Sequence, residues 1–463
     1  MSNPTGYRFS AHTCARVAQT VDREVACELW NGFCNRIGTL ECADGDENRI
    51  GFGEATYLPL GEGEEYTLCV RPEGVGLQGR DAATLMRAFC ALLLRIEQDT
   101  SEKDTFWVAA GEVRGAFTVS RRMIHLCVFP ETDFSMLRRL ARLCGLFSYT
   151  HVVLEFWGML QYDCMQELAW GHAFSKEQIA GVIRELRAMG VEPIPMINHL
   201  GHASSCRIDS GKHVVLDQNP RLQSLFTPDG WCWNIFSPAS RALLRQMRHE
   251  LYELFGEGEY FHIGCDEAHI FSSEYYPMSG LCDYLSGLTA EVIAEGRRPI
   301  LWGDMIVPYD TNSECPERVE AALKQEVRMR PLMSALHPQS VIADWHYDIK
   351  TSPIPSIEHF LEAGFDVVGC PWDNVANIDA QYAMAQEAQT YGLMMTTWHT
   401  LHSGMSSMLY FARKCGFPKS PWSDYTGHRN LEIATLLRKV TSEALPYAET
   451  GFSHRQTAEV ISW

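Results

Sequence analysis

Two adjacent carboxylates, Asp266 and Glu267, follow the apolar run Tyr260-Phe-His-Ile-Gly264 with only Cys265 between. Successive strand side chains point to opposite faces, and an unpaired buried carboxylate is costly, so a pair in this position needs a reason. Past the last ladder bond the chain bends, which lets both groups reach one pocket. Like charges held close cannot both ionise easily. One carboxyl is pushed toward its protonated form and can serve as a general acid near neutrality, while the other stays an anion. That division suits glycosidic cleavage, where the leaving oxygen needs a proton as positive charge develops at the anomeric carbon. An arbitrary Asp-Glu pair is a solvated loop, and the apolar run ahead of this one argues against that reading.

Other acids and indoles recur in similar settings: Leu301-Trp-Gly-Asp304, Asp344-Trp-His-Tyr-Asp348, Cys370-Pro-Trp-Asp-Asn374 and Thr397-Trp-His399. Aromatic faces stack on the apolar face of a sugar ring. Any one tryptophan is better explained as core, but Trp302, Trp345, Trp372 and Trp398 recur at the same end of four consecutive apolar runs.

The elements that must position them are short apolar runs alternating with helical periodicity, the pattern of βα units around a parallel sheet. Eight strands are expected: Met123 to Phe129, His151 to Phe156, Val191 to Ile197, Tyr260 to Gly264, Pro299 to Trp302, Val341 to Trp345, Phe365 to Gly369 and Leu393 to Trp398. Helical stretches such as Phe134 to Leu143 and Lys176 to Met189 separate them, so the expected fold is an α/β (β/α)8 TIM barrel, with a doubly wound open sheet as the alternative. In a barrel the acids and tryptophans above all fall at the carboxyl ends of strands, where the active site collects. A small α+β domain precedes it, with a strand at Tyr66 to Val70, a turn-rich Arg71-Pro-Glu-Gly-Val-Gly, an amphipathic helix from Ala82 to Arg95 and a polar linker from Gln98 to Asp104. The expected division is 1–115, 116–415 and a C-terminal helical extension, 416–463, with a helix from Asn430 to Ala444 packed on the barrel.

With 46% apolar and 21% charged residues, the chain has the composition of an ordinary globular protein. The net charge of −19, from 58 acids against 39 bases, repels phosphate backbones and anionic headgroups, so neither nucleic acid nor a membrane is an expected partner. The 16 cysteines are scattered through apolar runs, without Cys-x-x-Cys pairs or zinc-ligand spacing, which points to buried thiols in a reducing cytoplasm and to no metal. No organic cofactor is implied. The amino terminus lacks a signal-like pattern and no apolar stretch is long enough to span a membrane. The sequence allows a homodimer.

His262-Ile-Gly-Cys-Asp-Glu267 resembles the His-x-Gly-Gly-Asp-Glu motif of glycoside hydrolase family 20, the β-N-acetylhexosaminidases. Pro195-Met-Ile-Asn-His-Leu-Gly-His-Ala203 is similar to that family's strand-three Gly-His element, and Leu301-Trp-Gly-Asp304, Ala343-Asp-Trp345, Cys370-Pro-Trp372 and Thr397-Trp398 follow in the family's order. The resemblance spans roughly 23 to 415, and its character is closest to the cytoplasmic hexosaminidase D type. It implies a retaining exo-enzyme acting on N-acetylhexosamine-terminated glycans by substrate-assisted catalysis, in which the 2-acetamido oxygen attacks the anomeric carbon to give an oxazolinium intermediate. Asp266 would orient the acetamido group, and Glu267 would protonate the leaving oxygen and then deprotonate water. Trp302, Trp345 and Trp398 would wall the acetamido pocket and His202 would line its floor, with His262, Asp304 and Trp372 facing the substrate. Arg122, or Arg121 beside it, would grip sugar hydroxyls.

Three positions depart from the family pattern. Cys265 replaces a glycine and would narrow the site. Asp373 and Asn374 stand where the family has a Tyr whose hydroxyl binds the acetamido oxygen, leaving Tyr347 or Asn374 to supply that contact. Thr400 replaces a Glu that binds outer hydroxyls. Two other functions remain open. One is a glycosidase of different specificity, including a conventional one pairing Glu267 with Asp304 or Asp348. The other is a catalytically silent carbohydrate-binding barrel.

Overall fold

The computed structural model describes residues 5–10, 12–34, 39–99, 102, 105–204, 219–268, 271, 277–307, 315–325, 330–398, 405–418 and 429–441. Nine strands come first: β1 (Gly6–Phe9), β2 (His12–Val17), β3 (Thr39–Asp44), β4 (Arg49–Gly53), β5 (Glu64–Arg71), β6 (Gly74–Gly79), β7 (Glu97–Gln98), β8 (Phe106–Ala109) and β9 (Gly111–Ala116). Six of them form a sheet in the order β3-β2-β4-β6-β5-β9, and β1, β8 and β7 pair separately. The helix Ala82–Leu93 starts where Asp81 accepts the Thr84 N–H, and nearly all of it is buried. From this helix Arg87 donates to the Gly190 carbonyl at 3.1 Å, tying the sheet to the barrel.

Two expectations for this region need correction. The mixed domain begins at β1 and β2, within the expected 1–115. In β2 the buried face is Thr13, Ala15 and Val17, too small to register as an apolar stripe. The turn-rich Arg71 to Gly76 narrows to a turn at Pro72 and Glu73, and Gly74–Gly79 is a strand: a Cβ on Gly76 would lie 2.1 Å from the Thr56 carbonyl oxygen, so its glycine serves close approach by a crossing segment. The polar stretch taken as a linker joins two strands of one sheet, because Gln98 pairs with Phe106.

The remaining strands are β10 (Arg122–Val128), β11 (His151–Phe156), β12 (Glu192–Met196), β13 (Tyr260–Gly264), β14 (Arg298–Trp302), β15 (Val341–Asp344), β16 (Asp366–Gly369) and β17 (Gly392–Thr396). They close into an eight-stranded barrel as β10 pairs in parallel with β17, from Arg122 opposite Leu393 to His125 opposite Thr396. The open-sheet alternative is thereby excluded. Both faces of each strand are covered, which is why the runs read as continuously apolar. Side chains of one parity, including Met123, Val153, Ile194, Tyr260, Ile300, Val341, Val368 and Met394, fill the interior. Those of the other parity, such as Ile124, Leu126, Leu154, Phe261 and Ile263, pack outward under the helices.

The helices start at side-chain caps: Asp133 for Phe134–Leu146, Ser175 for Lys176–Ala188 and Ser237 for Pro238–Phe255. After Met405–Lys414, the helix Arg429–Lys439 packs against both parts of the chain. Arg139 donates to the Leu437 carbonyl at 2.6 Å, and Lys439 to that of Phe33 at 3.0 Å. The helix stops at Lys439, short of the expected Ala444, and 442–444 lie outside the described residues. No helix among the described residues is long and apolar enough to cross a membrane.

Candidate active site

The loop after β13 resolves how two neighbouring acids come to share one partner, His202. Gly264, Cys265 and Glu267 all take positive φ, at 67°, 74° and 48°, so the chain reverses its side-chain alternation on either side of Asp266. Asn198, just past β12, holds the turn. Its Oδ1 accepts the N–H groups of Leu200 and Cys265 at 3.1 and 2.9 Å, and its Nδ2 donates to Asp266 Oδ1. The fit requires bare backbone. A Cβ on Gly264 would lie 2.6 Å from Asn198 Cγ, and one on Gly201 would lie 2.2 Å from the Asp266 carbonyl oxygen.

His202 bridges the pair, with Nε2 at 3.1 Å from Glu267 Oε2 and 3.4 Å from Asp266 Oδ2. Its ring lies against Trp231, centroids 4.4 Å apart, and the Trp231 indole donates to the Glu267 carbonyl at 2.7 Å. The two carboxylates sit differently: the Asp266 side chain is 3% exposed, that of Glu267 42%. Asp304 completes the cluster by accepting the Glu267 N–H at 2.8 Å. Burial first, then the charge of Asp266 and more weakly that of Glu267, hold the Asp304 carboxyl well above the usual aspartate range, against the pull of that N–H. A raised carboxyl is therefore present, and it is Asp304 behind the pair.

The indoles form an arc beside this cluster. Trp302 is fully buried, 5.2 Å from Trp398 and 4.5 Å from His262 between ring centroids. Trp345 stacks on Tyr347 at 5.4 Å, and Trp372 tilts against the same tyrosine at 5.3 Å. Trp398 donates from its indole to the Tyr347 hydroxyl at 2.6 Å, which is also 3.2 Å from Thr396 Oγ1. Burial pushes the Tyr347 phenol up, against the hydrogen bonds with Thr396 and Trp398. The indole nitrogens of Trp302 and Trp345 have no hydrogen-bond partner among the described residues, although both are buried. These are donors that a ligand's carbonyl or hydroxyl could satisfy.

Three expectations are overturned here. Arg122 does not approach the pocket: its parity is outward, at the amino end of β10, where it pairs with Glu65 at 2.9 Å and donates to the Ser148 and Val119 carbonyls at 2.8 Å. Arg121, its alternative, stacks on Tyr391 and donates to the Tyr260 hydroxyl at that same end. Asn374, the alternative to Tyr347, is an exposed helix cap whose Oδ1 accepts from Ala376 and Asn377. His262 is fully buried, and its Nδ1 accepts the Gly264 N–H at 3.1 Å, which makes it a support for Trp302 and the turn. The Cys265 side chain packs into the outer core with Sγ 3.5 Å from the Ile263 carbonyl, and does not narrow the pocket.

Asp373 and Asp348 are exposed. His399 and Thr400 lie outside the described residues. Sequence reasoning gave no role to Asn198 or Trp231. Asn198 stood within the quoted strand-three segment, and an amide beside a Gly-His step was the available signal.

Neighbouring carboxylates and a set of indoles at the carboxyl ends of a (β/α)8 barrel's strands are the equipment of a glycoside hydrolase. The sequence model for glycosyl hydrolase family 20, catalytic domain, matches residues 151–408, more than half of the chain, and the chain belongs to that family. No curated protein matches it. Among solved structures it is similar to an exo-β-N-acetylglucosaminidase from Vibrio harveyi in complex with N-acetylglucosamine, at 15% identity and TM-score 0.67, covering 96% of this chain and 77% of that one. A Streptomyces plicatus β-hexosaminidase in complex with product gives 14%, 0.65, 94% and 92%. A Streptomyces coelicolor β-N-acetylhexosaminidase gives 16%, 0.63, 94% and 93%. At such identities these likenesses speak for the fold.

Proposed function

We propose that the chain is a retaining exo-β-N-acetylhexosaminidase that removes terminal non-reducing N-acetylhexosamine units by substrate-assisted catalysis. The observation that carries this reading is the unequal setting of two neighbouring carboxylates. Asp266 is buried and held by Asn198 and His202, whereas Glu267 is accessible and meets the same imidazole. A carboxylate tethered in this way is suited to orient an amide N–H and to offset positive charge on it, not to swing toward an anomeric carbon. The accessible Glu267 protonates the leaving oxygen, and as its conjugate base takes a proton from the incoming water.

The bond to the anomeric carbon is made by the substrate's acetamido oxygen, which closes an oxazolinium ring. Water then opens the ring from the other face, and two inversions give net retention. Tyr347 supplies the contact to the acetamido oxygen. It accepts from Trp398, and because Thr396 gives its own proton to the Pro371 carbonyl at 2.9 Å, the phenolic proton can turn to a ligand. Trp302, Trp345 and Trp398 wall the methyl end of the acetamido group. A conventional mechanism with Asp304 as nucleophile fits less well, since that group is buried and its anionic form is disfavoured.

The N-acetylglucosamine and product bound in the Vibrio harveyi and Streptomyces plicatus structures support the substrate class. We place the enzyme with the hexosaminidase D-like cytoplasmic type, a reading supported by Cys34, Cys69, Cys90 and Cys144, which are buried and outside any disulfide.

N-acetylglucosamine-thiazoline, an oxazoline mimic, tests the mechanism. It should inhibit hydrolysis of chromogenic N-acetylglucosaminide or N-acetylgalactosaminide competitively, and Glu267→Gln should lose turnover most on poor leaving groups. Indifference to the thiazoline, or equal rates in wild type and Glu267→Gln, would remove the assignment.

A further inference from the structure

Beside the walls of the site lies a second polar cluster that the glycosidase chemistry leaves unused. His125 and Cys127 are two residues apart on β10, so both point into the barrel, and Glu155 on the adjacent β11 points in beside them. All three are buried, and their ligand-type atoms lie within 4.8 Å of one another. His125 Nε2 is 3.2 Å from Glu155 Oε2, Cys127 Sγ is 3.4 Å from that same oxygen, and Sγ is 3.7 Å from Nε2.

We propose that His125, Cys127 and Glu155 form a site for one thiophilic divalent cation of the zinc class. Bond lengths of roughly 2.0–2.1 Å to nitrogen, 2.0 Å to oxygen and 2.3 Å to sulfur give tetrahedral edges of about 3.3, 3.5 and 3.5 Å. The three observed separations lie within about 0.2 Å of these, so an ion can enter without moving a strand. Charge points the same way. Binding replaces the Cys127 S–H bond with a metal–sulfur bond and releases that proton to solvent. The divalent ion, thiolate, carboxylate and neutral imidazole then sum to zero, the state an apolar barrel interior tolerates best.

The surroundings also suit an ion. The Trp157 indole donates to Glu155 Oε2 at 3.1 Å, the kind of outer hydrogen bond that fixes a ligating carboxylate. Three protein ligands leave the fourth tetrahedral position to water. The His125 ring meets Trp302 and Trp398 edge-on, at 5.4 and 4.9 Å, which sets the ion directly behind two walls of the sugar pocket. Paired-cysteine and zinc-ligand spacings are absent from the sequence, and a His-x-Cys step on one strand with an acid from its neighbour carries no such spacing.

The test is titration of the chelator-treated full chain with Co2+ and Zn2+. One equivalent of cobalt should bind with a thiolate-to-cobalt charge-transfer band in the near ultraviolet. Cys127→Ser should abolish the band, and Trp157→Phe should weaken zinc binding by about 10–100-fold. No such band in wild type, or an undiminished band in Cys127→Ser, overturns the proposal. Should Cys127→Ser fail to fold, a zinc-soaked wild-type crystal decides it: an anomalous peak among the three side chains sustains the site, and its absence there refutes it.

Discussion

Replacing Tyr347 with phenylalanine isolates one hydroxyl. The ring stays, and with it the stacking on Trp345 and Trp372 at 5.4 and 5.3 Å. The loss falls on two contacts in the resting enzyme. The buried Trp398 N–H, now 2.6 Å from the hydroxyl, is left without its acceptor, which costs about 1–3 kcal/mol of stability. Thr396 gives up a weaker contact at 3.2 Å and keeps its bond to Pro371, so its share is small. In the reaction the hydroxyl donates to the acetamido oxygen where charge develops. Removing one such donor costs roughly 2.7–4 kcal/mol of transition-state stabilisation, or 10²–10³-fold in kcat. KM should move little, because the indole walls remain.

The assay is steady-state hydrolysis of a chromogenic N-acetylglucosaminide, with thiazoline inhibition measured alongside. The inhibitor mimics the intermediate, so its affinity should fall with kcat. A folded variant with kcat within about threefold of wild type would contradict the assigned contact. A lower kcat with unchanged thiazoline affinity would show that the loss comes from a disordered wall and not from the missing bond.

Asp304→Asn keeps an acceptor for the Glu267 N–H and removes the buried ionisation. A raised native pKa means that the folded chain binds the proton more tightly than the unfolded one, so wild-type stability falls as pH rises through the window above the ordinary aspartate value. The variant's advantage in urea unfolding should therefore grow from acid toward neutral pH, and a flat difference would argue against the raised carboxyl. Arg122→Met should lower stability by about 1–3 kcal/mol, since it removes the donor to the buried Ser148 and Val119 carbonyls while Glu65 keeps Arg87 at 2.7 Å, and leave KM unchanged. A selective rise in KM would restore a sugar-binding role. Gly201→Ala drives a Cβ into the Asp266 carbonyl, and displacement of the catalytic turn by about 1 Å should cost about 100-fold in kcat in a protein that still folds by circular dichroism. Near-normal turnover would show that the turn is slack.

What the sequence determines here is what depends on near neighbours in the chain. Each of the eight barrel strands is covered on both faces, so each appears as a mainly apolar run, and strand order with helical spacers leads to the barrel. The acid pair and four indoles are legible because each sits directly after such a run. Glycines misled where they serve contact rather than turning, as in β6.

Only the tertiary structure decides which way a side chain faces and what it meets across the chain. Arg122 looks like a sugar ligand until the parity of β10 turns it outward to Glu65. Asn198 and Asp266 are 68 residues apart and form one unit. Tyr347, Trp398 and Thr396 come from two strand ends, and Asp304 is pushed up by charges from a different loop. His125, Cys127 and Glu155 meet only because two strands pair in register. Hydrophobic periodicity is local and survives in the sequence, whereas a site's electrostatics arise from groups distant along the chain and adjacent in space, which no local pattern encodes.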